Sequence, residues 1–319
     1  MLTPTFWLNR KIYVFVGVSY FMVNLRKKIV EGKEYYYLEH SFREGNAVKR
    51  KELYLGKEIP GNIEEIKREF INEIYEDKWY KAFDGIKKGF SKETRAMPRS
   101  DKEKELDTFM IRFTYDTQRI EGSKLTLRET ANLLERGVTP KEKPVRDVKE
   151  AEAHKKIFYE MMSYKKELSM DVILYWHKGL FCITNTGIAG KIRAHGVAIS
   201  GSKFVPCTPV EINPMLRDFF RWYNKNKGKL HPVELAALVH LRFVTIHPFG
   251  DGNGRLSRLM MNFVLNKYGY PMLDITYENR SSYYNSLERS QIKNNEHIFA
   301  QWFFKKYKKE HERYLKKSR

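Results

Sequence analysis

Residues 247–258 constrain the fold and chemistry of this chain more than any other segment. They read His-Pro-Phe-Gly-Asp-Gly-Asn-Gly-Arg-Leu-Ser-Arg and follow a stretch, 232–246, whose apolar residues have helical spacing. Pro248 disfavours a helical conformation at His247, so the first helix is predicted to end there. A second stretch with helical spacing begins at residues 253–254. The segment is therefore predicted to be a loop that ends one helix and opens the next.

The residue types in this loop suit the binding of a phosphate group. Its glycines let the backbone turn tightly, and the unpaired amides at a helix N-terminus attract an anion. Arg255 and Arg258 are three residues apart on one helix face, and a guanidinium group bonds phosphate oxygens well. Asp251 is a hard oxygen ligand for Mg²⁺ beside such a phosphate, and His247 can accept a proton from an attacking hydroxyl. Each residue alone is commonly a turn or cap residue, but the full pattern indicates a catalytic site.

The loop resembles the signature of the Fic family, His-x-Phe-x-(Asp/Glu)-Gly-Asn-Gly-Arg-x-x-Arg, at every specified position. It is similar to the adenylyl-transferring branch rather than to the Doc-type kinases, whose loop lacks the second Gly-Asn-Gly element. The resemblance implies that His247 deprotonates a protein hydroxyl, that Asp251 holds Mg²⁺ and that ATP is the co-substrate. It implies further that Arg258 contacts the γ-phosphate of ATP. The rest of the phosphate chain is expected to contact four residues: Gly252, Asn253, Gly254 and Arg255.

A second motif lies upstream of the loop. The segment from Thr117 to Gly122, Thr-Gln-Arg-Ile-Glu-Gly, is similar to the inhibitory motif of Fic proteins, (Ser/Thr)-x-x-x-Glu-(Gly/Asn). Thr117 and Glu121 are four residues apart and share one face of a predicted helix over about residues 100–121. The resemblance implies that Glu121 pairs with Arg258 and prevents productive placement of the γ-phosphate. A purely structural helix face is the alternative for the motif taken alone.

Two further regions resemble Fic segments. Residues 190–208 are similar to the flap that aligns a target segment by strand addition, and within them residues 197–206 alternate as a short hairpin would. The stretch that contains Tyr284 and Gln291 is similar to the segment that lines the adenine pocket. Many relatives have asparagine at the position of Gln291, and a role in the core is the alternative for Tyr284.

Composition limits the class of protein and its partners. A chain of 319 residues, 42% of them hydrophobic, allows one large or two modest domains. Two cysteines, Cys182 and Cys207, give no disulfide framework, so a reducing cytoplasm is predicted. A net charge of +20 favours nucleic acid, anionic membranes or acidic partners, but no nucleic-acid-binding motif accompanies it. The basic residues in 305–319 are therefore interpreted as a solvated helix end.

The N-terminal part of the chain lies outside the resemblance, which covers about residues 100–305. The apolar run 12–24 is too short to span a bilayer as a helix, and no signal-peptide cleavage site follows it. A strand pair is predicted there, and no membrane partner is expected. Residues 25–56 alternate as a β-hairpin does.

A mainly α fold is predicted: a Fic helical core with a β-hairpin flap, preceded by an inhibitory helix region and a small β-rich unit. The predicted divisions are 1–60 for the β-rich unit, 61–165 for the helical region and 166–310 for the core. Residues 87–99 are predicted to be a polar connector. Helix starts are predicted from capping patterns. These patterns are Asn62 with Glu65, Ser100 with Glu103, Thr126 with Glu129, Asp147 with Glu150, and Ser169.

The function predicted from the sequence is transfer of AMP from Mg-ATP to a Ser, Thr or Tyr hydroxyl of an unidentified target protein, with autoinhibition by Glu121. Removal of AMP from a target, with Glu121 activating water, is the alternative within the enzyme class. An alternative of another class is a basic regulatory module that senses nucleotide or binds nucleic acid. A homodimer is expected from the resemblance. An enzyme requires His247, whereas a binding module tolerates its replacement by alanine.

Overall fold

The computed structural model describes residues 23–44 and 47–317, in which helices follow one small antiparallel sheet. The helices pack around two central ones, Pro232–Ile246 and Asn253–Lys267, which flank the signature loop. This mainly helical architecture confirms the predicted fold class. The strands are β1 (Asn24–Val30), β2 (Lys33–Glu44) and β3 (Ala47–Gly56); the helices are α1 (Ile63–Tyr75), α2 (Lys81–Ala96), α3 (Arg99–Ile120), α4 (Leu127–Arg136), α5 (Val145–Ser163), α6 (Met170–Phe181), α7 (Pro209–Asn226), α8 (Pro232–Ile246), α9 (Asn253–Lys267), α10 (Arg280–Ile292), α11 (Glu296–Glu310) and α12 (Glu312–Lys317).

The N-terminal sheet has the strand order β1-β2-β3, with both pairs antiparallel. Strand alternation places Leu38 and His40 on the face that packs against the helices, where both are buried. The hairpin predicted over residues 25–56 is confirmed as the β2–β3 pair, which β1 extends. The predicted strand pair in residues 12–24 lies almost entirely outside the described residues.

The polar connector predicted over residues 87–99 is wrong, because most of it belongs to α2. Phe83 and Ile86 of this helix are fully buried at helical spacing, and α2 packs against α12. Gly89 is buried where α12 crosses, and a Cβ on it would overlap the backbone of Tyr314. Only one narrow stripe of α2 is buried, and most of its other residues are charged or polar, so the sequence pattern did not indicate a helix.

Two of the predicted helix starts are wrong. The helices α3 and α5 begin directly after Pro98 and Pro144, and neither N-cap side chain accepts a capping hydrogen bond. Proline restricts the residue before it to an extended conformation, so it marks the helix boundary more strongly than the polar residues that follow. The pairs predicted to cap these helices, Ser100 with Glu103 and Asp147 with Glu150, consequently lie inside the helices.

The other predicted starts agree with the structure. Thr126 and Glu129 form a reciprocal capping box at α4, and the side chain of Ser169 accepts a hydrogen bond from Val172 at the start of α6. Asn62 occupies the N-cap position of α1, although its side chain makes no capping bond.

The segment 190–208 contains no β-strand, so the predicted flap hairpin is not formed as a strand pair. It is an extended segment with a turn in which Ser202 N donates to Ile199 O at 3.1 Å. The side chain of Ser202 donates to Glu288 of α10 at 3.1 Å, which fixes this segment beside the site. Its backbone bonds go to side chains and neighbouring loops, which explains the absence of a ladder.

The signature loop is anchored between α8 and α9, which form the centre of the hydrophobic core. Every residue of 255–265 is buried, as are nearly all residues of α8. The loop ends are therefore fixed by tightly packed helices. Among the described residues, no helix combines the length and apolarity that crossing a membrane requires.

Candidate active site

His247 lies at the C-terminal end of α8 in a left-handed conformation, with φ 53° and ψ 57°. A non-glycine residue in this region costs on the order of 1–3 kcal/mol and persists only where the surroundings fix it. Arg193 supplies that restraint: its Nε donates to His247 O at 2.8 Å, and its backbone N donates to Pro248 O at 3.0 Å. Sequence reasoning placed Arg193 only in the flap and missed this function.

The imidazole of His247 has the proton arrangement of a general base. Its Nδ1 lies 3.2 Å from Val244 O and must donate to that carbonyl, which leaves Nε2 unprotonated in the neutral ring. Burial lowers the pKa of His247 below its ordinary value of 6.5. The side chain is therefore neutral near pH 7 and able to accept a proton.

His177 of α6 connects the loop to Gly190, the first residue of the flap segment 190–208. Gly190 N donates to its Nδ1 at 3.0 Å, so the proton lies on Nε2, which donates to Asp251 O at 3.0 Å. The ring stacks on Phe249 of the loop with 3.7 Å between centroids. Burial lowers the pKa of His177 to about 4, so it stays neutral and keeps this bonding pattern. His177 thus positions the signature loop.

Asn253 and Gly252 shape the loop. Asn253 Oδ1 accepts from Phe249 N at 3.0 Å, and its Nδ2 donates to Phe249 O at 2.8 Å, which closes the turn. Gly252 has a positive φ of 82°, and a Cβ on it would overlap Phe181. These two predicted nucleotide-binding residues therefore determine the loop conformation in the free protein, and the first-turn amides of α9 lack partners inside the helix.

Asp251 lies at the start of α9 with its side chain 38% exposed. Its carboxylate accepts from Gly252 N at 2.6 Å, Arg255 Nη2 at 3.0 Å and Arg146 Nη2 at 3.2 Å. Burial alone would raise the pKa of Asp251, but Arg255, the Gly252 amide and Arg146 together bring it below its ordinary value of 3.8.

An ionised, accessible carboxylate beside a helix N-terminus fits Mg²⁺, which is commonly held by one or two carboxylates together with substrate phosphates. No group of three or more His, Cys, Asp or Glu side chains suited to a metal occurs in residues 23–44 and 47–317. A protein-only metal cage is thus not formed in this part of the chain. Asp251 fits the remaining arrangement, in which the nucleotide supplies further ligands.

Arg258 contacts both predicted inhibitory residues. Its Nη2 donates to Glu121 Oε1 at 2.6 Å, and its Nε donates to Thr117 Oγ1 at 3.2 Å. Its Nη1 donates to the hydroxyl of Tyr283 at 3.3 Å. Arg258 is 1% exposed, whereas the Glu121 side chain is 26% exposed. The pairing implied by the sequence motif is therefore present in the structure.

The carboxylate of Glu121 lies against the first turn of α9. A Cβ on Gly254 would overlap Glu121 Oε1 and would also lie 3.1 Å from Arg258 Nη1. Glu121 follows the last residue of α3, so its side chain reaches the amino end of α9 from outside the helix. This is the position that favours an anion, and the carboxylate occupies it in the free protein.

The two residues predicted to line the adenine pocket have protein partners here. The hydroxyl of Tyr284 donates to Ile120 O at 3.1 Å, while the residue stays 45% exposed. Gln291 is buried, and its Nε2 donates to Thr245 Oγ1 at 3.2 Å. Tyr284 thus lies beside the end of α3, and Gln291 lies beside α8.

A cluster around Arg255 was not predicted. Arg255 Nη1 donates to Glu150 Oε2 of α5, and the guanidinium lies 4.5 Å from the centroid of the Phe181 ring. Glu150 also accepts from Arg146 Nε at 2.7 Å. The only sequence signal was the i,i+4 spacing of Arg146 and Glu150, which is common on exposed helices.

Residues 167–265, which include the signature loop and the helices around it, match the model of the Fic/DOC family. The match agrees with the sequence resemblance and identifies a Fic/DOC domain over these residues. Protein adenylyltransferases are among the curated relatives that it matches. It is 32% identical over 192 residues to protein adenylyltransferase fic-1 of Caenorhabditis briggsae and 34% identical over 178 residues to protein adenylyltransferase Fic of Drosophila ananassae.

These alignments cover 58% and 54% of this chain, but only 37% and 35% of the two relatives. The chain thus spans little more than a third of the length of each protein. Similarity to solved structures is more extensive. A Fic domain containing signaling protein from Bacteroides thetaiotaomicron is 29% identical, with a TM-score of 0.66 over 73% of this chain and 96% of that one. A Fic-1 fragment from Caenorhabditis elegans is 25% identical, with a TM-score of 0.65 over 81% and 78%.

Proposed function

We propose that this protein is an autoinhibited adenylyltransferase that transfers AMP from ATP to a hydroxyl group of a target protein and releases pyrophosphate. The observation that supports it most is the meeting of a neutral histidine, an ionised aspartate and a helix N-terminus in one loop. His247, Asp251 and the first turn of α9 supply a base, a metal ligand and an anion site. The names of the curated relatives point to the same chemistry.

The proposed reaction is an in-line displacement at the α-phosphorus of ATP. A hydroxyl oxygen of the target forms the new P–O bond, the bond to pyrophosphate breaks, and Nε2 of His247 takes the hydroxyl proton. Mg²⁺, held by Asp251 and the phosphates, would neutralise charge on the leaving pyrophosphate. The amides of α9 and the charges of Arg255 and Arg258 stabilise the phosphate chain, and such positioned charge is usually the largest contribution to catalysis.

Autoinhibition rests on the location of the Glu121 carboxylate. It lies against Gly254 and bonds Arg258, so a γ-phosphate and this carboxylate compete for the same guanidinium. ATP can therefore align productively only after the end of α3 moves or Glu121 loses its contact. The predicted setting for this reaction is the cytoplasm, since Cys182 and Cys207 are both free thiols.

The proposal is tested by incubating the purified protein with Mg²⁺ and ATP labelled at the α-phosphate, and measuring label on the protein. Wild type, Glu121→Gly and Glu121→Gly/His247→Ala are compared, and γ-labelled ATP is the control for phosphate transfer. Label from the α-position should increase in the single variant and disappear in the double variant.

Three results would contradict the proposal. Equal labelling of the single and double variants would remove His247 from the mechanism. Label from the γ-phosphate would indicate a kinase. Loss of label from a previously modified target, with no incorporation, would favour AMP removal in which Glu121 activates water.

A further inference from the structure

The cluster around Arg255 contains four charged groups, each of which bonds the two groups of opposite charge. Glu150 of α5 accepts from Arg255 through one carboxylate oxygen and from Arg146 through the other. Both arginines also donate to Asp251, Arg255 at 3.0 Å and Arg146 at 3.2 Å. The result is a closed ring in which two carboxylates alternate with two guanidinium groups. We name these four residues the carboxylate–arginine ring.

One half of the carboxylate–arginine ring is buried. The side chains of Arg255 and Glu150 are 2% and 7% exposed, and Phe181 covers one face of the guanidinium. Both terminal nitrogens of Arg255 bond a carboxylate, so Glu150 and Asp251 together fix the position of the guanidinium. Breaking such a buried pair would leave an uncompensated charge, which makes this half rigid.

The other half of the carboxylate–arginine ring is open to solvent. The Arg146 side chain is 62% exposed, and it contacts Oδ2 of Asp251, whose side chain is 38% exposed. An exposed ion pair of this kind contributes little free energy and separates readily. Arg146 can therefore leave Asp251, whereas Arg255 stays.

The carboxylate–arginine ring also contacts the inhibitory helix. Gln118, next to Thr117 on α3, donates from Nε2 to Glu150 O at 3.1 Å, and its Oε1 lies 3.5 Å from Arg255 Nη1. The helix α5 precedes the region that matches the family model, which begins at residue 167. Glu150 thus contributes to the loop from a different part of the chain.

We propose that Glu150 is a positioning residue that sets the metal affinity of Asp251. It acts through two arginines: Arg255 fixes the carboxylate of Asp251, and Arg146 is the residue that a metal ion displaces from it. The inference rests on the proposed role of Asp251 as the Mg²⁺ ligand. It assigns to Arg255 a positioning function in addition to the charge that it contributes to the site.

The two arms of the ring predict opposite changes in metal affinity. Replacing Glu150 by glutamine removes a negative charge near the site and leaves Arg255 bonded to Asp251 alone, so metal binding weakens. Replacing Arg146 by methionine removes a competing cation and frees Asp251 Oδ2, so metal binding strengthens. At the short separations in this ring, one charge should alter the metal affinity by about tenfold.

The experiment measures binding of the non-transferable analogue α,β-methylene-ATP by calorimetry, once with saturating Mg²⁺ and once with EDTA. The ratio of the two Kd values is the enhancement of nucleotide binding by the metal. All variants carry Glu121→Gly so that Arg258 is available. The enhancement should fall about tenfold for Glu150→Gln and rise several-fold for Arg146→Met.

Matched controls lie on the same helix. Glu152→Gln and Lys149→Met remove the same charges from an exposed pair whose atoms are 2.8 Å apart, and each should leave the enhancement within about twofold of its background. Arg146→Lys keeps the positive charge and should restore most of the parent value. If Glu150→Gln fails to fold, the comparison of Arg146→Met with Arg146→Lys still decides.

Changes of the same sign for Glu150→Gln and Arg146→Met, or changes no larger than in the controls, would overturn the inference. No Mg²⁺ enhancement in the Glu121→Gly parent would overturn both the inference and the role of Asp251. Opposite shifts in a protein that transfers no AMP would support the inference and reject the proposed function alone.

Discussion

The first two turns of α9 present two buried arginines, each paired with a glutamate from a different helix. Arg258 pairs with Glu121 at the end of α3, whose side chain is 26% exposed. Arg255 pairs with Glu150 in the second turn of α5, whose side chain is 7% exposed. Both pairs join an arginine to a glutamate, but the carboxylate of Glu150 is more deeply buried than that of Glu121.

This difference in burial means that the Arg258–Glu121 contact can open, whereas the Arg255–Glu150 contact stabilises the fold. Glu121 lies at a helix terminus beside Gly122, so its side chain can move without disturbing the packed body of α3. Glu150 is enclosed by α5, α3 and the loop, and moving it would expose a charge to an apolar interior. Regulation is therefore expected at Arg258, and structural support at Arg255.

The largest effect should be on stability. Glu150→Gln should lower the free energy of unfolding by about 3–5 kcal/mol, because Arg255 keeps its charge but loses its buried partner. Glu121→Gln should lower it by about 1 kcal/mol or less, since that carboxylate is partly solvated. Urea denaturation followed by circular dichroism measures both values, and equal losses would remove the distinction between the two pairs.

The next largest effect concerns activity. Glu121→Gly should raise self-labelling with α-labelled ATP by about tenfold or more, equivalent to a bias of at least 1.4 kcal/mol against the productive state. Glu121→Gln tests whether charge or bulk is responsible, because it keeps the size of the side chain. Labelling that stays at the wild-type level in both variants would show that the Arg258 pair does not restrain the reaction.

A smaller effect is expected at Thr117, whose hydroxyl accepts from Arg258 at 3.2 Å. Thr117→Val keeps the shape but removes the acceptor, a loss of about 0.5–1.5 kcal/mol for a typical hydrogen bond. Self-labelling should therefore rise roughly two- to tenfold. Thr117→Ser retains the hydroxyl and is the matched control; an equal increase there would point to packing instead of the hydrogen bond.

The smallest effect is on pH dependence. His247 must be neutral to accept a proton, and burial keeps its pKa below 6.5, so kcat/KM should be flat above that pH and fall only in more acidic solution. The negative charge of Glu121 raises the pKa of His247, so Glu121→Gly should move the acidic limb to lower pH. Profiles of both forms between pH 5 and 8 test this, and a limb above 6.5 would exclude His247 as the base.

Much of the site could be predicted because its signature is local in sequence. The loop 247–258 and the motif from Thr117 to Glu121 each fit within one or two helical turns, so residue spacing alone defines them. The structure then brings the two motifs together through the Arg258–Glu121 bond. The helical spacing of apolar residues likewise predicted α8 and α9. Nearly every residue of both helices is buried.

The remainder depends on contacts between distant parts of the chain. Glu150 has the sequence context of a surface helix residue, and only the packing of α5 against α9 shows that its carboxylate bonds Arg255. The helix α2 was missed for a related reason, because its buried stripe is defined by α12, more than 200 residues later in the chain. The prediction of strands in the flap was wrong because an alternating sequence forms a strand only where a partner strand is available.

The pairing of Glu121 with Arg258 has a consequence for how activity depends on protein concentration, because both residues belong to one folded chain. The carboxylate meets the guanidinium at an effective concentration that dilution cannot change, in contrast to an inhibitor supplied by a separate protein. The restrained fraction of molecules should be the same in a crowded and in a sparse sample. Activity per molecule would then depend on events that move the end of α3, and not on how much of the protein is present.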